Sequence, residues 1–200
     1  MARLVALALA LMAPAAASQA AASAVELRYA VHVGGLHLFD ATVQARLADG
    51  RYDLTLEATS RGIADWIAPY RGRSLVAGTV GPDGIRPERY RQERTFRGED
   101  RTVTIDYAGS TVAATVEPPP RRADREPVPD SLKPGTSDPL SAGLAAVIEA
   151  GRADRCAGTT QVFDGLARYN LSAADQGRTE LARSRYGIYA GPAIRCSVEH

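Results

Sequence analysis

Few residues in this chain are of a type and spacing that could do chemistry. There are three histidines, His32, His37 and His200, and two cysteines, Cys156 and Cys196. A zinc site needs three or four His, Cys or carboxylate ligands, and structural sites bring them in close pairs. His32 and His37 flank Gly34-Gly35, but the third histidine is remote and the cysteines are far apart. No metal site is expected, and His32 and His37 read as solvent-facing strand residues. A cysteine nucleophile beside a histidine base would require a free thiol. There is no Gly-X-Ser-X-Gly elbow, no phosphate loop and no dinucleotide fingerprint. Asp164 would need a partner carboxylate or a tuned pKa to act as an acid or base. As the first residue of Asp164-Gly165 it has a sufficient structural role as a turn former. No catalytic residue and no cofactor is expected, so the protein reads as a non-enzyme. Trp66, the only tryptophan, is the one side chain singled out for ligand binding. Its alternative role is to plug one end of a sheet or barrel.

The cysteines must be read with the N-terminus. Met1-Ala2-Arg3 is a short basic segment, and Leu4 to Ala13 is an apolar run. That run is too short to span a bilayer, which takes about 20 residues. Small residues follow, ending in Ala20, Ala22 and Ala24. The pattern predicts a secretory signal peptide over 1–24, cut after one of those alanines. A secreted chain with an even cysteine count predicts an oxidising compartment, the bacterial periplasm, and a Cys156–Cys196 disulfide. No cysteine sits at the cleavage region to take a lipid. No stable membrane span is expected once the signal is cut.

Composition narrows the partners. The chain has 200 residues, with 24 Lys plus Arg against 23 Asp plus Glu. No basic patch is interleaved with aromatics, so nucleic acid is not an expected partner. Lys133 is the only lysine.

The elements that must position these residues are mostly strands. Val25, Leu27, Tyr29, Val31 and Val33 alternate with polar residues, as do Phe39 to Leu47 and Tyr52 to Ala58. Period two marks half-buried strands. Asp49-Gly50 joins the second and third, and a two-residue Asp-Gly turn is a strong hairpin signal. With Ala48 facing Arg51, Leu47 faces Tyr52, Ala45 faces Leu54, Val43 faces Leu56 and Ala41 faces Ala58. A one-residue slip would destroy the match. Ile63, Trp66 and Ile67 then suit one or two helical turns before Pro69. Strands resume at 74–80, 90–96, 103–107 and 112–116. Tyr90 to Phe96 is polar and Arg-rich, which predicts exposure on one side or a place near an edge.

Residues 117–137 carry six prolines, Pro118, Pro119, Pro120, Pro127, Pro129 and Pro134. The stretch predicts a long loop, disordered or a mobile flap. Asp138-Pro139 starts a helix as N-cap and first helical residue. Leu140, Leu144, Val147 and Ile148 form its apolar stripe, and Gly151 ends it after Ala150. The Asp164-Gly165 hairpin follows, then a strand near Leu181 to Tyr186, a Gly191-Pro192 turn, and alternating Ile194, Cys196 and Val198. The strand pattern still runs at His200, which predicts a further strand beyond it.

In order along the chain, Tyr29 to Leu36, Ser60-Arg61-Gly62-Ile63, Pro87 to Tyr90, Asp138-Pro139-Leu140-Ser141, Val162 to Tyr169 and Cys196 resemble the bacterial family known as domain of unknown function 3108. The resemblance covers nearly the whole chain after the signal. It implies a secreted or periplasmic β-rich protein, a partly open barrel similar to lipoprotein and lipid carriers of the envelope. It supplies no activity and no catalytic residues.

The expected fold is therefore mostly β over 25–200: one antiparallel curved sheet or partly open β-barrel with one covering α-helix. The expected function is a non-enzymatic periplasmic envelope protein that binds a lipid, acyl chain or other apolar ligand in the curved sheet. The alternative is an interaction or scaffold protein for envelope assembly. It would hold an envelope protein partner through the proline-rich loop or an edge strand.

Overall fold

The computed structural model describes residues 23–120, 126–185 and 187–200. Residues 1–22 of the expected signal peptide, with Ala20 and Ala22, lie outside the described residues, as does Tyr186. Ala24 lies in the first strand, opposite Arg46.

Seven strands pair in chain order: β1 (Ser23–Val33), β2 (Leu36–Ala48), β3 (Arg51–Ser60), β4 (Tyr70–Gly81), β5 (Gly84–Phe96), β6 (Glu99–Ala108) and β7 (Thr111–Glu117). The short helix α1 (Gly62–Ile67) links β3 to β4, and α2 (Pro139–Ala153) follows the proline-rich stretch. A second sheet holds β8 (Ala157–Phe163), β9 (Arg168–Leu181) and β10 (Gly191–Glu199) in the order β10-β9-β8. All these strand pairs are antiparallel. The fold is mostly β with one long covering helix. The large sheet stays open, with β1 and β7 as its edges, and does not close into a barrel.

Its register follows the hydrophobic alternation. Asp49 and Gly50 sit at φ 51° and 70°, the positive values that a two-residue hairpin turn demands. Leu47 then faces Tyr52, Ala45 faces Leu54 and Val43 faces Leu56, as the pattern predicts. One row crosses the whole sheet: Val25, Ala45, Leu54, Val76, Tyr90, Ile105 and Ala114. The core is built on this face from Tyr52, Leu54, Val76, Tyr90, Val103, Ile105 and Val112, and Phe163 of β8 closes over it. β5 lies inside the sheet between β4 and β6, with Tyr90 inward and Arg89 and Arg91 on the opposite face. There Arg89 pairs with Asp106 at 3.2 Å and Arg91 with Glu93 at 2.7 Å.

Three segments differ from the sequence expectation. α2 runs through Gly151 to Ala153 and stops at Asp154, which takes the left-handed conformation and pairs with Arg178 of β9. Gly inside a helix costs only about 1 kcal/mol, so the helix passes Gly151 and ends where Asp154 turns left-handed. Val147 is 71% exposed, while Ser141 and Ala142 are fully buried. The packed face is thus made of small residues and flanked by Leu140 and Leu144. β9 is one long strand that ends at Leu181, where a separate strand was expected to begin. Both of its faces are largely exposed, so no period-two signal marks it. In the proline-rich stretch, residues 121–125 lie outside the described set. Beyond them a 3-10 turn spans Asp130–Leu132, Thr136 is buried, and Ser137 bridges to Val162 in parallel. The Ser137 N–H donates to Gln161 O at 2.8 Å, and the Phe163 N–H to Ser137 O at 2.9 Å. This end of the stretch is docked on the second sheet.

Candidate functional site

α2 is locked to the large sheet by a sealed polar chain. Oδ1 of Asp138 accepts the N–H groups of Leu140 at 3.0 Å and Ser141 at 2.9 Å, which fills two of the orphan donors of the helix start. Oδ2 accepts the Ser141 hydroxyl at 2.5 Å. Oγ of Ser141 lies 2.7 Å from the Tyr52 hydroxyl. A serine hydroxyl has one proton to give; it goes to Asp138, so Tyr52 donates to Ser141. Burial raises Asp138 above the usual carboxylate range and raises the Tyr52 phenol. Asp138 and Ser141 are 0% exposed and Tyr52 is 1%. Carboxylate, hydroxyl and phenol are of catalytic type, but no substrate can reach them here. They anchor the helix.

The Asp164-Gly165 turn is the second anchor. Oδ1 of Asp164 accepts from the N–H groups of Leu166 at 2.8 Å and Ala167 at 2.7 Å. This oxygen caps its own loop, the structural role that the Asp-Gly turn predicts. Gly165 has φ +90°, and a Cβ there would run into the Val103 side chain of β6. The turn is pressed into the large sheet, with Val162 and Phe163 fully buried behind it. Cys156 and Cys196 are joined, with Cα atoms 5.7 Å apart, so β10 is tied to the residue just before β8.

Between these anchors lies a half-open groove of about 1430 Å³. Its walls are α2 and the second sheet, and one end is made by the tips of the β4–β5 and β6–β7 hairpins. Val147, Ile148, Leu171, Ile194 and Val198 supply apolar surface, and Cys156 and Cys196 both line it. Charged residues line it as well: Arg86 pairs with Asp83 at 3.1 Å, Arg178 with Asp154 and Glu88 with Arg51 at 2.6 Å, and Glu149 and Arg152 lie among them. Tyr107 also lines the groove, and its buried hydroxyl has no hydrogen-bond partner among the described residues.

The residues singled out from sequence fall mostly elsewhere. Trp66 is 83% exposed on α1 and is not among the groove's lining residues. The β1–β2 turn brings His32 and His37 together, stacked at 4.9 Å, with Nε2 of His37 2.7 Å from Oδ1 of Asp40. Arg61, and after it His37, hold Asp40 below the usual carboxylate range. His200 packs edge-on against Tyr169 at 5.8 Å. Among the described residues no group of three or more His, Cys, Asp or Glu could hold a metal ion. No described helix is long and apolar enough to cross a membrane. Tyr107 and the groove were missed. The alternation of Val103, Ile105 and Tyr107 predicts the inward face of β6, but a groove shared by distant segments leaves no local pattern.

Fold and groove define a class: an open antiparallel β protein in which a capped helix and a disulfide-tied second sheet flank a half-open cleft of mixed apolar and charged lining. The chain belongs to the family described as protein of unknown function (DUF3108), whose model matches residues 28–198. No curated protein and no solved structure matches the chain.

Proposed function

We propose that the protein is a non-enzymatic carrier of the periplasm that holds a lipid, acyl chain or other apolar ligand in the groove between α2 and the second sheet. The observation that carries this reading is the groove itself. Ligand sites are concave and mostly apolar with a few placed polar groups, and span about 300–1,000 Å³; this one is larger, at about 1430 Å³. The disulfide across its wall supports an oxidising compartment. Native mass spectrometry of protein purified gently from the periplasm tests the reading. A co-purifying lipid is expected, and Ile148→Arg with Ile194→Arg should empty the groove. Wild-type protein that is empty, and that fails to take up a fluorescent naphthylamine probe, would sink the carrier.

A second reading rests on β1. This 11-residue edge strand leaves Val25, Tyr29, Val31 and Val33 between 42% and 60% exposed. A long apolar edge is a template for strand addition, which suits a scaffold that takes an extended segment of an envelope partner. Val25→Lys with Tyr29→Lys should then abolish partner crosslinking and leave probe uptake unchanged.

A further inference from the structure

We infer that the end of the large sheet built around α1 is a membrane-docking surface, which sets Trp66 and its apolar neighbours into the interface of an anionic phospholipid bilayer. In an antiparallel meander the β1–β2, β3–β4 and β5–β6 connections fall at one end and the other three at the opposite end. The first end carries Val33 and Leu36 beside the β1–β2 turn, Ile63, Trp66 and Ile67 on α1, and Phe96 before the β5–β6 turn. All six are large apolar residues between 39% and 83% exposed. Backbone hydrogen bonds hold the three connections together: the Arg61 N–H donates to Leu38 O at 2.7 Å and the Arg97 N–H to Pro69 O at 2.9 Å. Single exposed apolar residues need no explanation, but a cluster of them marks a contact site. Tryptophan beside aliphatic residues suits a bilayer interface, where the ring is buried and its N–H stays wet. Charge selects the same partner. Asp65 turns inward to accept the buried Ser60 hydroxyl at 2.7 Å, Asp40 takes Arg61 at 2.6 Å, and Asp100 accepts the Thr95 hydroxyl at 2.5 Å. Glu99 is then set against Arg71, Arg94, Arg97 and Arg101, none of which forms an ion pair among the described residues. The Arg97 guanidinium lies 5.2 Å from the centre of the Phe96 ring, so cation and apolar ring stand together, as phosphate and acyl chain do in a lipid layer. An excess of arginine would repel a second copy of the same face and matches the phosphates of anionic lipid.

Trp66 is the only tryptophan, so its emission reports on this surface alone. Vesicles of phosphatidylglycerol and phosphatidylcholine in equal parts should shift that emission to shorter wavelength, and lipids brominated on the acyl chain should quench it. Vesicle co-sedimentation then compares variants. Trp66→Ser with Ile67→Ser removes side chains that are exposed in solution, so it should unfold in urea as wild type does and bind the vesicles at least about tenfold more weakly. Arg71→Gln with Arg97→Gln should lose about fivefold per charge on these vesicles and nothing on pure phosphatidylcholine. Unshifted Trp66 emission overturns the inference. So does vesicle binding that survives Trp66→Ser with Ile67→Ser, and so does an arginine variant that binds like wild type. A dimer in the absence of lipid that Trp66→Ser with Ile67→Ser breaks would assign the surface to a second copy, and overturns it too. None of these outcomes touches the carrier reading, since Trp66 lies outside the groove.

Discussion

The hydroxyls of Tyr52 and Ser141, 89 residues apart in the chain, lie 2.7 Å from each other and join β3 to α2. Ser141 stands between two partners and Tyr52 at the end of the chain, so the two deletions are unequal. Tyr52→Phe removes one donor and leaves Ser141 bonded to Asp138, and should cost about 1 kcal/mol. Ser141→Ala strands both the phenol and one carboxylate oxygen, and should cost about 3 kcal/mol. Urea unfolding of the two variants checks the order; equal costs would mean that the chain of bonds does not act as described.

Asp138 sets a pH dependence of definite sign. Its folded-state pKa is raised by burial above the ordinary 3.8. Its contribution to stability is therefore complete below that value and is lost as pH rises through the folded value. Asp138→Asn keeps a capping side chain and removes the titration. Stability measured against pH should fall less steeply for the variant above pH 3.8. Tyr90, pushed up to about 12 by burial, has the same sign at the alkaline end: its share is lost as pH climbs from 10 through 12. Phenolate absorbance should lose a transition near pH 12 in Tyr90→Phe.

Gly165 touches Val103 so closely that no Cβ fits, and its φ of +90° disfavours any other residue. Gly165→Ala should destabilise by about 3 kcal/mol through strain and overlap together. Val103→Ala opens the space that the added methyl needs. The double variant should be more stable than the sum of the two losses predicts, by about 1 kcal/mol or more. Strict additivity in thermal unfolding would show that the turn does not press on β6.

The disulfide closes a loop with a sequence separation of 40. Chain entropy values this at about 4 kcal/mol. Cys156→Ser with Cys196→Ser should lose up to that amount in urea unfolding. Both residues line the groove, so probe affinity should drop as well. Alkylation and mass analysis of the native protein should find no free thiol.

Much of the large sheet was legible because one of its faces is buried. Alternation alone set Leu47 against Tyr52 and Ala45 against Leu54, and two positive-φ residues at Asp49-Gly50 fixed the turn. The start of α2 was legible because Asp138-Pro139 carries its cap and first turn in the local sequence. Its end was not, because Gly151 stays helical and the chain turns left-handed only at Asp154, a residue that carries no strong local stop signal. The start of β9 was legible as the returning strand of the Asp164-Gly165 hairpin, but its run to Leu181 was not, because neither of its faces is deeply buried. Trp66 drew attention through its rarity, yet rarity says nothing of placement, and it stands in the open on α1. The groove was hidden for a deeper reason: Tyr107, Ile148 and Ile194 come from β6, α2 and β10 and become neighbours only when all three are folded.

The chain-ordered meander has a consequence for how the molecule is made. A polypeptide that emerges N-terminus first can add each strand of the large sheet to its predecessor, with no need of what comes later. The lid arrives last, since Leu140, Leu144 and Phe163 all follow β7. Until α2 and β8 dock, Leu54, Val76, Tyr90 and Ile105 present a half-finished apolar surface to other unfolded chains nearby. The time of greatest hazard falls before α2 and β8 have docked, and a chaperone that shields the chain then would have to recognise the naked sheet.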